Sequence, residues 1–363
     1  MKRLIAGTAA ALLAAVLILP VSSHAISAEK AILMDSATER VLYEKNADAQ
    51  SLIASTTKIM TALIVCEQCN VLDKMRIPKE AVGIEGSSMY LKEGEILTIQ
   101  ELLYGLMLHS GNDAAVALAI YCGGTVEGFA ELMNDKAHQL GLRGTHFENP
   151  NGLDAPGHYS TARDLAVLAA YAMENPIFYK TVSTKSVTLR ERYLRNHNKL
   201  LWQVEGVDGI KTGYTRAAGR ILVSSATRDG RRLVAVTINA PDDWSDHAQL
   251  LNQGFSGFEM TRIVSKGEIV GFLEIAGGQS GVVQLLSADD FQYPLAFDEV
   301  TTLMVPGTGF VYAPVAEGAA AGYAYVCLNG KSVGKIPVIY GETIEKIPVE
   351  KKNFLERLIG GLQ

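Results

Sequence analysis

The chain has 363 residues, 48% of them hydrophobic, with 33 basic against 39 acidic side chains and a formal charge of -6 at neutral pH. An acidic chain with no long basic cluster excludes the phosphate backbone of a nucleic acid as a main partner, because that contact needs clustered Lys and Arg. The length leaves room for two domains of ordinary size.

At the N-terminus, Lys2 and Arg3 precede an apolar run from Leu4 to Leu19 and a small-x-small site, Ser23-His24-Ala25. This is the layout of a secretory leader cleaved after Ala25. The run is short for a membrane span, which needs about 20 apolar residues. The mature chain is therefore expected to start near Ile26, outside the cytoplasm, and to be more acidic once Lys2 and Arg3 are gone. No second long apolar run follows.

Ala31 to Asp35 and Arg40 to Glu44 flank a Ser36-Ala37-Thr38 turn and read as a strand hairpin. From Ser55 to about Cys69, Ile59, Leu63 and Cys66, with Met60 and Ile64, recur at helical spacing on most sides, so a buried helix is expected. Thr98-Ile99-Gln100-Glu101 is a capping-box pattern ahead of Leu102, Leu103, Leu106 and Met107. Ser110-Gly111-Asn112 interrupts that helix, and Asp113 to Tyr121 resumes as an alanine-rich one. Further helices are expected over Val126 to Leu140, stopped by Gly141, and over Ala162 to Met173, capped by Thr161 and stopped before Pro176. Strands return after Lys211, with Ile221 to Thr227 and Arg232 to Ile238 on either side of the hairpin signal Asp229-Gly230. Asp243 to Asn252 closes the domain as a helix.

A strand pair, a helical middle, a strand run and a helix make an α+β domain: an antiparallel sheet covered by helices, with a helical subdomain inserted between its first and last strands. Beyond about Val264 the pattern changes to short runs separated by Gly, Pro and Asp: Glu268 to Ile275, Gly281 to Leu286, Leu303 to Val305, Gly322 to Leu328 and Lys335 to Ile339. These read as a small all-β domain. The expected division is a leader at 1–25, a main domain at 26–263, a β-rich domain at 264–348 and a tail at 349–363. In the tail, Phe354, Leu355, Leu358, Ile359 and Leu362 share one face, with Lys351, Lys352 and Arg357 elsewhere. Such a segment can lie in a membrane interface as a weak peripheral anchor.

Four cysteines, Cys66, Cys69, Cys122 and Cys327, complete the inventory. Cys66 and Cys69 have C-x-x-C spacing, but no matching Cys or His pair makes a zinc site, and no H-E-x-x-H is present among the seven histidines. Cys66 falls on the apolar side of its helix and reads as a buried free thiol. Export permits disulfides, and a Cys69–Cys122 bond is possible.

Three short segments carry the chemistry. Ser55 and Lys58, three apart on a helix, share a face, so a hydroxyl and an amine can meet. A serine needs a base to become a nucleophile, and Lys58 serves if burial and a nearby cation disfavour its charge. Ser110-Gly111-Asn112 lies at a helix break, where Ser110 can relay a proton and Asn112 can hold a substrate amide. In Lys211-Thr212-Gly213, the glycine leaves room for an extended substrate beside the strand, while Lys211 and Thr212 suit a terminal carboxylate. His109, beside Ser110, reads as a structural histidine ending an apolar helix.

With these motifs in this order, the chain from about Glu29 to Gly257 resembles the penicillin-interacting serine enzymes, most closely the low-molecular-mass D-alanyl-D-alanine carboxypeptidases. Gly86-Ser87-Ser88, Gly141-Leu142, Asn149 to Leu153 with Gly152, His158-Tyr159-Ser160 and Ala162 to Leu165 extend the likeness. The resemblance implies a β-lactamase/transpeptidase-like fold and hydrolysis through an acyl-enzyme on Ser55. Lys58 would be the base, Ser110 the relay, and Asn112 the positioning amide. Lys211, Thr212, Gly213 and Tyr214 would bind substrate, with the backbone N–H groups of Ser55 and Tyr214 as oxyanion donors. It implies peptidoglycan pentapeptide stems as substrate, β-lactam antibiotics as covalent inhibitors, and no metal or organic cofactor. Family members often grip the substrate carboxylate with an arginine after the last core strand. Here that stretch reads Asn239-Ala240-Pro241, so Arg220, or Arg216, is expected to substitute. Two other activities share the motifs. A class A β-lactamase needs a glutamate-activated deacylation water, for which Glu148 lacks the Glu-x-x-x-Asn setting. A penicillin-binding sensor or scaffold needs no turnover.

Overall fold

The computed structural model describes residues 25–305 and 309–348. The tail and all of the leader but Ala25 lie outside them. At the centre of the first domain is a five-stranded antiparallel sheet, in the order Val41–Lys45, Lys30–Asp35, Arg231–Ile238, Gly219–Arg228, Val207–Thr215. The first strands of the chain thus pair with the last ones of the domain, and the helices are an insertion between them.

Alternation along the strands sorts two cores. Ile32, Met34, Val234 and Val236 face the helical subdomain, where they pack with residues of the helices Lys58–Gln68, Ile99–Leu108, Asn112–Gly123 and Ala162–Met173. Leu33, Leu233 and Ala235 point the other way, onto Leu250 and Leu251 of the helix Asp243–Gly257. That helix runs to Gly257, past the expected end at Asn252. Helix caps follow the sequence closely. Thr98 and Glu101 form the capping box, and the Thr161 hydroxyl accepts from the Asp164 N–H.

Three features differ from the expectation. The helix Ala162–Met173 stops before Pro176 as expected, but Pro176 opens a further helix, Pro176–Ser183, because a proline at the first position loses no hydrogen bond and Asn175 caps it through the Ile177 and Phe178 N–H groups. Ser55 does not open the long helix. It sits in a 3₁₀ turn, Ala54–Thr57, and the α-helix starts at Lys58. The Lys-Thr-Gly segment lies in the middle of a nine-residue strand rather than ahead of the strands, and that strand is an edge of the sheet. A small hairpin pairs Ser186–Leu189 with Arg192–Arg195; Val187 and Leu189 alternate in its first strand, but the second carries two arginines, and neither strand is among the expected elements.

The second domain holds a six-stranded sheet in the order Thr301–Met304, Ala320–Leu328, Lys331–Tyr340, Val282–Ser287, Ile269–Ala276, Phe310–Tyr312, and Glu259–Val264 pairs with Phe291–Leu295. Arginines join it to the first. Arg40 grips Glu299 at 2.5 and 2.6 Å and donates to the Pro294 carbonyl, while Arg231 bridges the buried Asp35 (2.7 Å) and the Phe258 carbonyl (2.6 Å). Cys69 and Cys122 are joined in a disulfide, whereas Cys66 and Cys327 are free and buried. Among the described residues no single helix is long and apolar enough to cross a membrane.

The sheet and its closing helix bury His247, which bonds to the Ser224 hydroxyl at 2.6 Å and the Thr237 hydroxyl at 2.9 Å. Burial drives its pKa down to about 3. In the unfolded chain the same imidazole takes up a proton near pH 6.5. Stability present above pH 6.5 is therefore lost as pH falls toward 3, by roughly 5 kcal/mol from this group. Denaturant unfolding of His247→Gln at pH 7 and pH 4 should show a smaller loss on acidification than the unchanged chain. An equal loss would contradict this.

Candidate active site

The helix Lys58–Gln68 is apolar on nearly every side and runs through the core, so the Lys58 side chain at its start is fully buried. Its Nζ lies 2.9 Å from Ser55 Oγ, 2.7 Å from Asn112 Oδ1 and 2.5 Å from the Asn151 carbonyl. Burial, reinforced by the neighbouring Lys211 cation, holds the Lys58 amine well below its usual pKa, with Asp113 opposing. A neutral amine has two N–H bonds and one lone pair. Asn151 and Asn112 each present an oxygen, which takes one N–H apiece, and the lone pair is left facing the Ser55 hydroxyl. The Asn112 amide is oriented by its own Nδ2, which donates to the Glu85 carbonyl at 2.5 Å. The geometry makes Lys58 a proton acceptor for Ser55 as long as it is uncharged.

Two backbone features hold this arrangement. The turn Asn149 to Leu153 closes on itself through the Asn149 amide and docks on the helix through Thr61, whose hydroxyl donates to the Pro150 carbonyl at 2.7 Å. Gly152, at φ +84°, lies so close that a Cβ there would sit 1.9 Å from the Ala54 carbonyl. On the other side, the buried Asp113 carboxylate accepts from Ser88 Oγ and from the Met89 and Leu91 N–H groups, pinning the Ser87-to-Leu91 loop against the cleft. His158 Nδ1 accepts from the Glu148 N–H, so its Nε2 carries the proton and donates to Thr57 at 2.8 Å.

Ser110 ends the break between two helices with φ +62°, a left-handed backbone that costs a non-glycine residue about 1–3 kcal/mol. Its hydroxyl accepts from Lys211 Nζ at 3.1 Å, and the same ammonium donates to the Thr212 carbonyl at 2.7 Å. Burial brings the Lys211 pKa down to about 7. Gly213 faces the nucleophile turn, since a Cβ there would stand 3.3 Å from the Ser55 nitrogen. The exposed edge of this strand, with Tyr214 open to solvent, is free to pair with an extended chain.

A cleft of about 310 Å³ gathers Ser55, Ser87, Ser110, Thr212, Gly213, Tyr214 and Arg220, walled by His197, Asp243 and Trp244. Lys58 reaches Ser55 and Lys211 reaches Ser110 from beneath, and Asn112 holds Lys58. Arg220 enters the cleft, but its Nη2 already binds both oxygens of Asp243, at 2.7 and 2.9 Å, and its guanidinium lies 5.7 Å from the centre of the Trp244 ring. A substrate carboxylate would share this arginine with Asp243. Arg216 is exposed and does not line the cleft. Sequence reasoning missed Asp243 and Trp244, which lie in an ordinary helix start, and the Asn151 carbonyl, which has no side-chain signature. Glu148 faces His146 at 3.5 Å and does not line the cleft, so the β-lactamase alternative finds no deacylating glutamate there.

With Lys58 as the base, its charge would set the pH dependence: only the uncharged amine can accept the Ser55 proton, so acylation would be lost as pH falls through the lowered Lys58 pKa. Acylation by benzylpenicillin, followed from pH 5 to 10, should show an acid limb well below the usual lysine range. In Lys211→Gln, loss of the neighbouring cation should move that limb upward. A limb that stays in place would remove Lys211 as the cause.

A profile described as D-alanyl-D-alanine carboxypeptidase matches residues 19–242, and one described as the C-terminal domain of penicillin-binding protein 5 matches 258–346. The chain is 32% identical over 355 residues to the D-alanyl-D-alanine carboxypeptidase DacF of Bacillus subtilis, covering 93% of this chain and 91% of that one. It is 35% identical to DacC of Escherichia coli over 345 residues, covering 90% and 86%. The crystal structure of penicillin-binding protein 5 from Haemophilus influenzae superposes with a TM-score of 0.76 at 30% identity, over 90% of this chain and all of that one. By these matches the chain is a member of the D-alanyl-D-alanine carboxypeptidase family of penicillin-binding proteins.

Proposed function

We propose that this protein is a serine-type carboxypeptidase that removes the terminal D-alanine from peptidoglycan stem peptides and is acylated by penicillin at Ser55. The observation that carries it is the 2.9 Å contact between Ser55 Oγ and a lysine amine whose pKa burial and the nearby Lys211 cation hold well below its usual value. Ser55 attacks the carbonyl of the D-Ala–D-Ala bond as its proton passes to Lys58. The C–N bond breaks, and the departing amine takes a proton through Ser110 or Lys58. Water then cleaves the ester, releasing the shortened stem and restoring the hydroxyl. Asn112 positions the substrate amide; Lys211 and Thr212, with Arg220 beside them, take the terminal carboxylate; and the chain lies along Gly213 and Tyr214. The Ser55 and Tyr214 N–H groups receive the developing oxyanion, where such a donor commonly contributes about 3–4 kcal/mol. β-Lactams react at the same serine, because their strained amide and carboxylate imitate the substrate's end.

The reading requires export, since its substrate is extracytoplasmic: a leader cleaved after Ala25 would deliver the enzyme, and the tail at 349–363 would hold it on the membrane surface. Two measurements on purified protein test the proposal together: release of D-alanine from diacetyl-Lys-D-Ala-D-Ala, and a covalent benzylpenicillin adduct that persists. Release with a long-lived adduct is expected. Rapid turnover of benzylpenicillin would favour a β-lactamase, an adduct without release would favour a sensor, and neither signal would overturn both enzyme readings.

A further inference from the structure

Beside the Ser55 cleft opens a second cavity of about 590 Å³, lined by His109, Tyr193, Arg195, His197, Lys199 and Trp202 among others. His197 is a wall of both spaces. The second cavity lies at the Ser110 end of the first. His109 directly precedes Ser110, the His197 N–H donates to the Leu108 carbonyl at 3.1 Å, and Lys199 Nζ lies 5.8 Å from the ring centre of Trp244, a cleft residue. In the carboxypeptidase reading, on which this inference rests, that end takes the departing residue. Its amine meets Ser110, and its carboxylate meets Lys211, Thr212 and Arg220. The methyl group of a departing alanine needs none of the space beyond His197.

The lining states what that space suits. Arg195 lies 4.9 Å from the Trp202 ring centre, Lys199 stands nearby, and no acidic residue among those described lines the cavity. Two exposed cations with no carboxylate in the lining, one of them stacked on Trp202, and the open Tyr193 ring favour an anionic group on an aliphatic stem. We propose that the cavity receives an acidic side chain on the departing D-residue, so that the enzyme releases a C-terminal D-glutamate as well as D-alanine. The reaction is unchanged. The same C–N bond breaks, the carbonyl passes to Ser55, the amine gains a proton, and water completes the hydrolysis.

The test compares diacetyl-Lys-D-Ala-D-Ala with the same peptide ending in D-Glu or D-Lys. The expected kcat/KM for D-Glu is at least that for D-Ala and about tenfold above that for D-Lys. In the double variant R195Q/K199Q, the D-Glu to D-Ala ratio should fall about tenfold, the effect of one well-placed charge contact. A D-Glu peptide cleaved no better than the D-Lys one, or a ratio unmoved in the variant, overturns the proposal. If the unaltered enzyme releases D-Ala but not D-Glu, this inference alone fails; if it releases neither, the carboxypeptidase reading fails first.

Discussion

Lys58→Met should lower acylation by benzylpenicillin about 10²–10⁴-fold, the usual worth of a positioned general base. Methionine fills nearly the same buried volume without an amine, so the Ser55 hydroxyl keeps its place and loses its proton acceptor. The substitution also strands Asn112 Oδ1 and the Asn151 carbonyl, whose N–H partners it removes. Some loss of stability, on the order of 1–3 kcal/mol, should accompany the loss of rate. Ser55→Ala gives the reference point, with no adduct and no D-alanine release but near-normal unfolding. Adduct formation and denaturant unfolding, measured side by side for both variants, separate the two effects. If Lys58→Met acylates at the rate of the unaltered protein, the lysine is not the base.

The second large effect is expected at Gly152→Ala, at a residue that touches no substrate. Its φ of +84° is one that an alanine adopts only at a cost, and the added Cβ would meet the Ala54 carbonyl at 1.9 Å. The obstacle is backbone, which cannot swing aside as a long side chain can. Left-handed strain and overpacking together should remove about 2–5 kcal/mol of stability. Because Ala54 is joined to Ser55 and Asn151 holds Lys58, any relaxation also shifts the nucleophile and its base. A lower denaturant midpoint with slower acylation is the expected pair of results. A variant within about 0.5 kcal/mol of the parent and fully active would show that the turn is not tightly seated.

Much of the site was legible because chemistry demands particular side chains at short spacing. Ser55 with Lys58, Ser110 with Asn112, and Lys211 with Thr212 are each fixed within a few residues, and local backbone geometry brings each pair together. The helix Ala162–Met173 was legible to its ends for the same reason, since Thr161 and Asp164 cap it locally. Pro176 marked the end of that helix but not the start of the next, whose cap, Asn175, directly precedes it. The strand Val207–Thr215 was half hidden because Asp208 and Lys211, both buried polar residues, break its apolar pattern. Asp208 is matched by Ser225 and Thr227 across the neighbouring strand, partners the sequence does not announce.

From residue types and order alone came the α+β class, an all-β second domain and the proposed nucleophile and base, all of which depend on local periodicity or on side-chain chemistry. The tertiary structure decided what depends on distance between remote segments. It set which oxygens claim the two Lys58 N–H bonds, how near Gly152 comes to Ala54, that Cys69 reaches Cys122, and that Arg220 meets Asp243. Charge state, in particular, belongs to the folded chain. A lysine's pKa falls where packing strips away water, and further where a second cation lies close, and neither condition is written in a four-residue motif.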